Sequence, residues 1–184
     1  MIRRVRGILF VDYVRMVRSQ KQLDWSVHLY PEDLKIIAEK IDPEGWYPME
    51  TFERLGLAIL RALAMGQLEA VRMWGRFQVD SVRGMFPTLV AEGNPQDTMM
   101  RFRVLANSFF DYGALNVELV EHDHAIVAVA YGMSPLAEET AATQTLGFFE
   151  RLLEIAGATT IDAQFTARSW TGDEKTLIEL FWRS

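Results

Sequence analysis

The chain has 184 residues, enough for one domain with a sizeable core, and 49% hydrophobic with 24% charged residues excludes a disordered chain. Its 19 basic and 25 acidic residues leave a net charge of −6, which argues against a nucleic-acid binder, whose affinity rests on a positive surface. There is no cysteine, so disulfides, thiolate metal sites and cysteine nucleophiles are excluded.

The charge is uneven. The first 21 residues hold Arg3, Arg4, Arg6, Arg15, Arg18 and Lys21 against Asp12 alone. This basic end reads as a solvated helix face or as a contact for an acidic partner or anionic lipid. The apolar run Ile8–Val11 behind the arginines is too short for a signal peptide, and Asp12 and Arg15 interrupt it. No stretch approaches the ~20 apolar residues that span a bilayer. The expectation is a soluble, cytoplasmic protein.

In chain order, Phe10, Tyr13, Val14 and Val17 form one stripe of a first helix over 7–20. Pro31 opens a second, through Leu34, Ile37 and Ile41, broken by Asp42-Pro43-Glu44-Gly45. A third runs from Pro48 to near Gly66 and a fourth from Gln67 to Met85. Asn94-Pro95 caps a fifth that uses Met99, Phe102, Leu105, Phe109 and Phe110, reaching Asp111. Spacing then switches from helical to alternating. Leu115, Val117 and Leu119, the turn Glu121-His122-Asp123-His124 and the return strand Ala125–Tyr131 predict a hairpin. Ser134 should cap a long helix to Gly157, with Glu138 and Glu139 favoured by its dipole. The small Ala141, Ala142 and Gly147 should let that helix approach a sheet closely. Ile161, Ala163, Phe165 and Ala167 begin a second hairpin, turning at Thr171-Gly172-Asp173 and returning over 175–182. The expected fold is α+β. An N-terminal helical lobe (1–112) precedes a four-stranded antiparallel sheet built hairpin–helix–hairpin (113–184), with the long helix on one face, in a single domain 1–184.

This order of elements resembles the superfamily of haem nitric-oxide/oxygen-binding sensors, four-vinyl-reductase-type ligand domains and TRAPP-like trafficking subunits. The residues that carry the resemblance are Gly45-Trp46-Tyr47-Pro48-Met49-Glu50-Thr51-Phe52-Glu53, Glu69 to Phe77, and Tyr131-Gly132-Met133-Ser134-Pro135 with the helix behind it. They are more closely similar to an uncharacterised bacterial family, abundant in myxobacteria and distantly related to that superfamily. The resemblance implies a ligand cavity where the lobes meet. The haem sensors hold haem by a histidine in the helix before the hairpin and by a Tyr-x-Ser-x-Arg motif. Here 98–111 contain no histidine, Tyr131 and Ser134 stand Tyr-x-x-Ser, and no arginine follows. Haem is therefore not expected, and no cofactor is called for.

Phe102, Phe109, Phe110, Tyr131, Phe148 and Phe149 should gather at the junction as plain core or as the wall of a pocket, with Phe102, Phe109, Tyr131 and Phe148 the candidate ligand contacts. Arg72, Trp74 and Arg76 are the candidate partner contacts, since arginine beside tryptophan is the composition of an interface hot spot. The arginines would otherwise pair internally with Glu50, Glu53 or Asp80. His122 and His124 with Glu121 and Asp123 suggest a metal turn, or simply a polar one. No nucleophile triad, P-loop or His-Glu-x-x-His occurs. The favoured expectation is a non-enzymatic regulatory or scaffold module in bacterial signalling, acting through a protein partner or homodimer. One alternative is a sensor of a small apolar ligand, which a junction cavity of several hundred Å3 would favour and a filled junction would sink. A second is a metal-dependent enzyme using His122 and His124.

Overall fold

The computed structural model describes residues 2–184; Met1, the first residue of the expected domain, lies outside the described residues. The elements are β1 (Arg4–Arg6), α1 (Gly7–Ser19), α2 (Pro31–Ala38), β2 (Trp46–Pro48), α3 (Met49–Ala62), α4 (Leu68–Met85), α5 (Pro95–Leu105), β3 (Leu115–Val120), β4 (His124–Val129), α6 (Pro135–Ile155), β5 (Thr160–Ala167) and β6 (Thr176–Arg183). The fold is α+β, as the periodicities require.

The four-stranded sheet is antiparallel in the order β3-β4-β6-β5. Alternation decides its faces: Val127 lies opposite Ile178 and Ala125 opposite Leu180, and all four are buried. Helix α6 is covered on both sides, because Phe148, Phe149, Leu152 and Leu153 are all buried while the helical lobe packs on its other flank. The expectation that Gly147 eases α6 onto the sheet is corrected. A Cβ on Gly147 would collide with the carbonyl of Arg72, and one on Gly75 with the carbonyl of Gln144. The two glycines let α4 and α6 approach backbone to backbone. Beside this crossing, Arg72 Nε donates to Glu150 at 3.0 Å and Arg76 reaches Glu154 at 2.7 Å, which replaces the expected pairs with Glu50, Glu53 or Asp80.

Two features were not read from the sequence. Strand β1 pairs antiparallel with β2, each only three residues long, too short to show a period. It also shortens α5: Arg6 N donates to the Phe109 carbonyl at 2.8 Å and Asp111 N to that of Arg4 at 3.2 Å. The segment expected as the last turn of a helix reaching Asp111 is thus drawn alongside β1, and the helix stops at Leu105 before a 3-10 turn. Helix α2 likewise ends at Ala38, because Arg18 Nε donates to the free Ile37 carbonyl at 2.7 Å and satisfies the helix end.

The start of α6 is also held differently from the expectation. Ser134 takes the N-cap position as expected, but its hydroxyl donates to Glu53 at 2.6 Å rather than capping the helix. The buried Glu138 carboxylate instead accepts from the backbone N–H of Tyr131 (2.8 Å) and of Met133 (2.9 Å), fixing the turn between β4 and α6. Arg3 donates to the carbonyls of Tyr131 (2.9 Å) and Gly132 (2.8 Å), and Arg4 pairs with Asp111 at 2.7 Å. Part of the basic N-terminal segment is therefore engaged within the molecule.

Candidate functional site

The junction of the lobes is a phenylalanine cluster. Phe102 on α5 lies 5.8 Å from Phe109, 5.6 Å from Phe148 and 4.8 Å from Phe149, centroid to centroid. Phe110 lies 5.5 Å from Tyr131. The offset and edge-on angles are those that aromatic quadrupoles favour. The four expected ligand contacts, Phe102, Phe109, Tyr131 and Phe148, line one void together with Phe110 and Phe149. Leu9, Gln78, Val82, Leu115 and Thr145 complete its wall and were not expected as site residues. Gln78 and Thr145 are two among many polar residues of the amphipathic α4 and α6, so nothing in the sequence sets them apart.

The void measures about 40 Å3. That is far below the several hundred Å3 set as the sensor criterion and below the roughly 300 Å3 at which ordinary ligand pockets begin. It exceeds the roughly 10–15 Å3 that holds one water molecule. The rings occupy most of the junction and leave a small apolar chamber with a polar edge. On that edge the Tyr131 hydroxyl shares a 2.6 Å hydrogen bond with Thr145. Burial pushes the Tyr131 phenol well above its ordinary pKa, so it stays protonated across the physiological range.

A second polar group stands between this chamber and solvent. The buried Tyr13 hydroxyl donates to the Gln144 side-chain carbonyl, and the Gln144 amide donates to Gln78 at 3.2 Å. Outside it, Asp12, Tyr13, Arg15, Met16, Trp74, Phe77, Gln78 and Gln144 line a groove of about 350 Å3 between α1, α4 and α6. Burial raises the Asp12 carboxyl pKa, against the Ser81 hydrogen bond and the Arg15 charge that lower it.

The three expected partner contacts do not form one patch. Arg72 and Arg76 turn to Glu150 and Glu154 on α6, whereas Trp74 lines the groove towards α1. His124 Nε2 lies 2.9 Å from Glu179 and its ring stacks on Phe181 at 4.3 Å, while His28 follows a 3-10 turn beside Trp25. Among the described residues no group of three or more His, Cys, Asp or Glu is placed to hold a metal. None of the three histidines lines the junction. No described helix is long and apolar enough to cross a membrane.

No protein-family model matches the sequence, and no curated protein is detectably similar to it. Solved structures do match. An H-NOX protein from S. oneidensis in the Fe(II) ligation state superimposes with a TM-score of 0.67 at 12% identity, covering 97% of this chain and 96% of that one. An H-NOX structure from work on haem distortion gives 0.65 at 14% identity, with 97% and 95% covered. An oxygen-binding H-NOX domain related to soluble guanylate cyclases, solved as its oxygen complex, gives 0.62 at 15% identity, again with 97% and 95% covered. The aligned lengths include both lobes and the helix between them, so the chain has the H-NOX fold.

Proposed function

We propose that this protein is a small-ligand sensor module whose ligand, an apolar molecule of a few heavy atoms, occupies the junction chamber without haem. The observation that carries the reading is the place of the chamber: it lies where the helical lobe meets the sheet lobe, walled by α1, α4, α5, β3 and α6 together. A molecule bound there touches both lobes, and its binding energy is available to bias their arrangement.

The residues at the junction do not fit haem. Haem iron takes an axial ligand from histidine, cysteine, methionine or tyrosinate. The wall offers one such side chain, Tyr131, whose hydroxyl is already hydrogen-bonded to Thr145. Phe102, Phe148 and Phe149 pack 4.8–5.6 Å apart, centroid to centroid, and the void of about 40 Å3 beside them is too small for a macrocycle.

Xenon is a suitable probe for an apolar chamber of this size. The expectation is saturable 129Xe binding, lost in Val82→Phe, which fills the wall, together with altered amide hydrogen exchange at 3–6 and 131–133 on loading. Non-saturable binding identical in the filled variant would overturn the reading, and so would binding that leaves exchange at the lobe contacts unchanged.

Association with a protein partner or a second copy is the other reading. It rests on two exposed apolar pairs, Met73 with Phe77 on α4 and Met100 with Val104 on α5, each one helical turn apart. Light scattering at high concentration tests self-association, and a monomer throughout counts against it.

A further inference from the structure

The chamber and the surface groove have one lining residue in common, Gln78. The antiparallel seam between α1 and α4 explains why. Leu9 and Val82 stand at the level of the chamber, Tyr13 and Gln78 at the wall, and Met16 and Trp74 at the groove, so each step is about one helical turn along both helices. Gln78 is thus the side chain that faces both spaces, and it is an unbranched amide.

Polar groups in a helix–helix core cost stability unless they are hydrogen-bonded. A leucine would fill the α4–α6 space without that requirement. Gln78 and Gln144 are instead buried and linked by a single long bond of 3.2 Å, in which the Gln78 side-chain carbonyl accepts from the Gln144 amide. The neighbours on either side are apolar and fixed: Val82 is fully buried within the core, and Tyr13 stacks on Phe52 at 4.9 Å. Gln78 is the residue that can swing without disturbing a packed ring.

We infer that Gln78 is the gate through which small apolar molecules pass from the α1–α4–α6 groove into the junction chamber, Gln144 and Tyr13 holding it shut. The inference rests on the proposed ligand site, since a gate needs a chamber behind it. It also assigns the groove a purpose: Trp74, Phe77 and Met16 give an apolar ligand a first resting surface beside the entrance.

The test is the xenon exchange rate, measured by 129Xe saturation-transfer NMR on the full chain. Removing the bond and side chain in Gln78→Ala should speed exchange by about tenfold, the scale of one lost neutral hydrogen bond. Met16→Trp, a half-buried position that can be plugged without touching the core, should slow it to a similar extent. Equal rates in the wild type, Gln78→Ala and Met16→Trp, with saturable xenon binding intact, would overturn the gate and leave the ligand site standing. Absence of any saturable site in the wild type would overturn both. If Gln78→Ala fails to fold, an unchanged rate in Met16→Trp is sufficient to refute the route.

Discussion

Phe102 is 2% exposed and touches three other rings, so Phe102→Ala tests whether the junction is packed core around a small chamber. Loss of the buried side-chain carbons costs about 2 kcal/mol in transfer free energy, and a residual void of about 80 Å3 adds about 2 kcal/mol at roughly 24 cal/mol per Å3. The sum, about 4 kcal/mol, lies within the range usual for truncating a buried phenylalanine to alanine. For a chain of this length it corresponds to a Tm lower by about 8–16 °C. Urea denaturation followed by circular dichroism should show the midpoint fall with the slope unchanged. The enlarged chamber should then accept benzene, which raises the stability of the variant and not of the wild type by binding only the folded form. A loss below about 1 kcal/mol would refute the packing argument, because it would mean that the rings do not rest on one another. Benzene stabilising the wild type equally would refute the chamber's size.

Gly75→Ala and Gly147→Ala should each destabilise by several kcal/mol, since each methyl meets the backbone of the opposite helix and α4 must separate from α6; a chemical melt within about 1 kcal/mol of wild type would contradict that crossing. The buried Asp33 carboxyl is pushed up by burial. Hydrogen bonds from Arg54 (2.6 Å), Thr51 (2.7 Å) and the Tyr30 N–H (3.0 Å) outweigh this and hold its pKa below the usual carboxylate range. A depressed folded pKa adds stability above the unfolded value near 3.9, and the gain is lost as pH falls towards the folded pKa. Melts from pH 6 to 2 should show a steeper acid loss in wild type than in Asp33→Asn, and parallel curves would refute the assignment.

Elements long enough to repeat their period were readable from the sequence. Helices α1, α3, α4 and α6 and both hairpins start where Pro, Gly and the apolar stripes place them, within a few residues. Strands β1 and β2 were not readable, because Arg4-Val5-Arg6 has a single inward residue and its partner lies about forty residues on. The end of α5 was misread for the same reason: Phe109 and Phe110 fit a helical stripe, and only pairing with β1 extends the backbone there. At the site, the aromatic rings were legible because large apolar residues at helical spacing mark a core. Gln78 and Thr145 were not, since a polar residue of an amphipathic helix acquires meaning only from what faces it across the fold. The partners of Arg72 and Arg76 were missed because Glu150 and Glu154 lie seventy-eight residues away on a helix whose facing direction depends on Gly147.

Arg3 belongs to the segment that pairs with β2 and runs alongside 109–111, yet its guanidinium grips two carbonyls that follow β4. Mechanically this makes the first strand a hinge pin inserted from the helical lobe into the sheet lobe. Rotation of one lobe against the other must either carry this strand along or shear two charged hydrogen bonds. A displacement of 131–132 relative to the helical lobe therefore loads these two hydrogen bonds and, through them, β1.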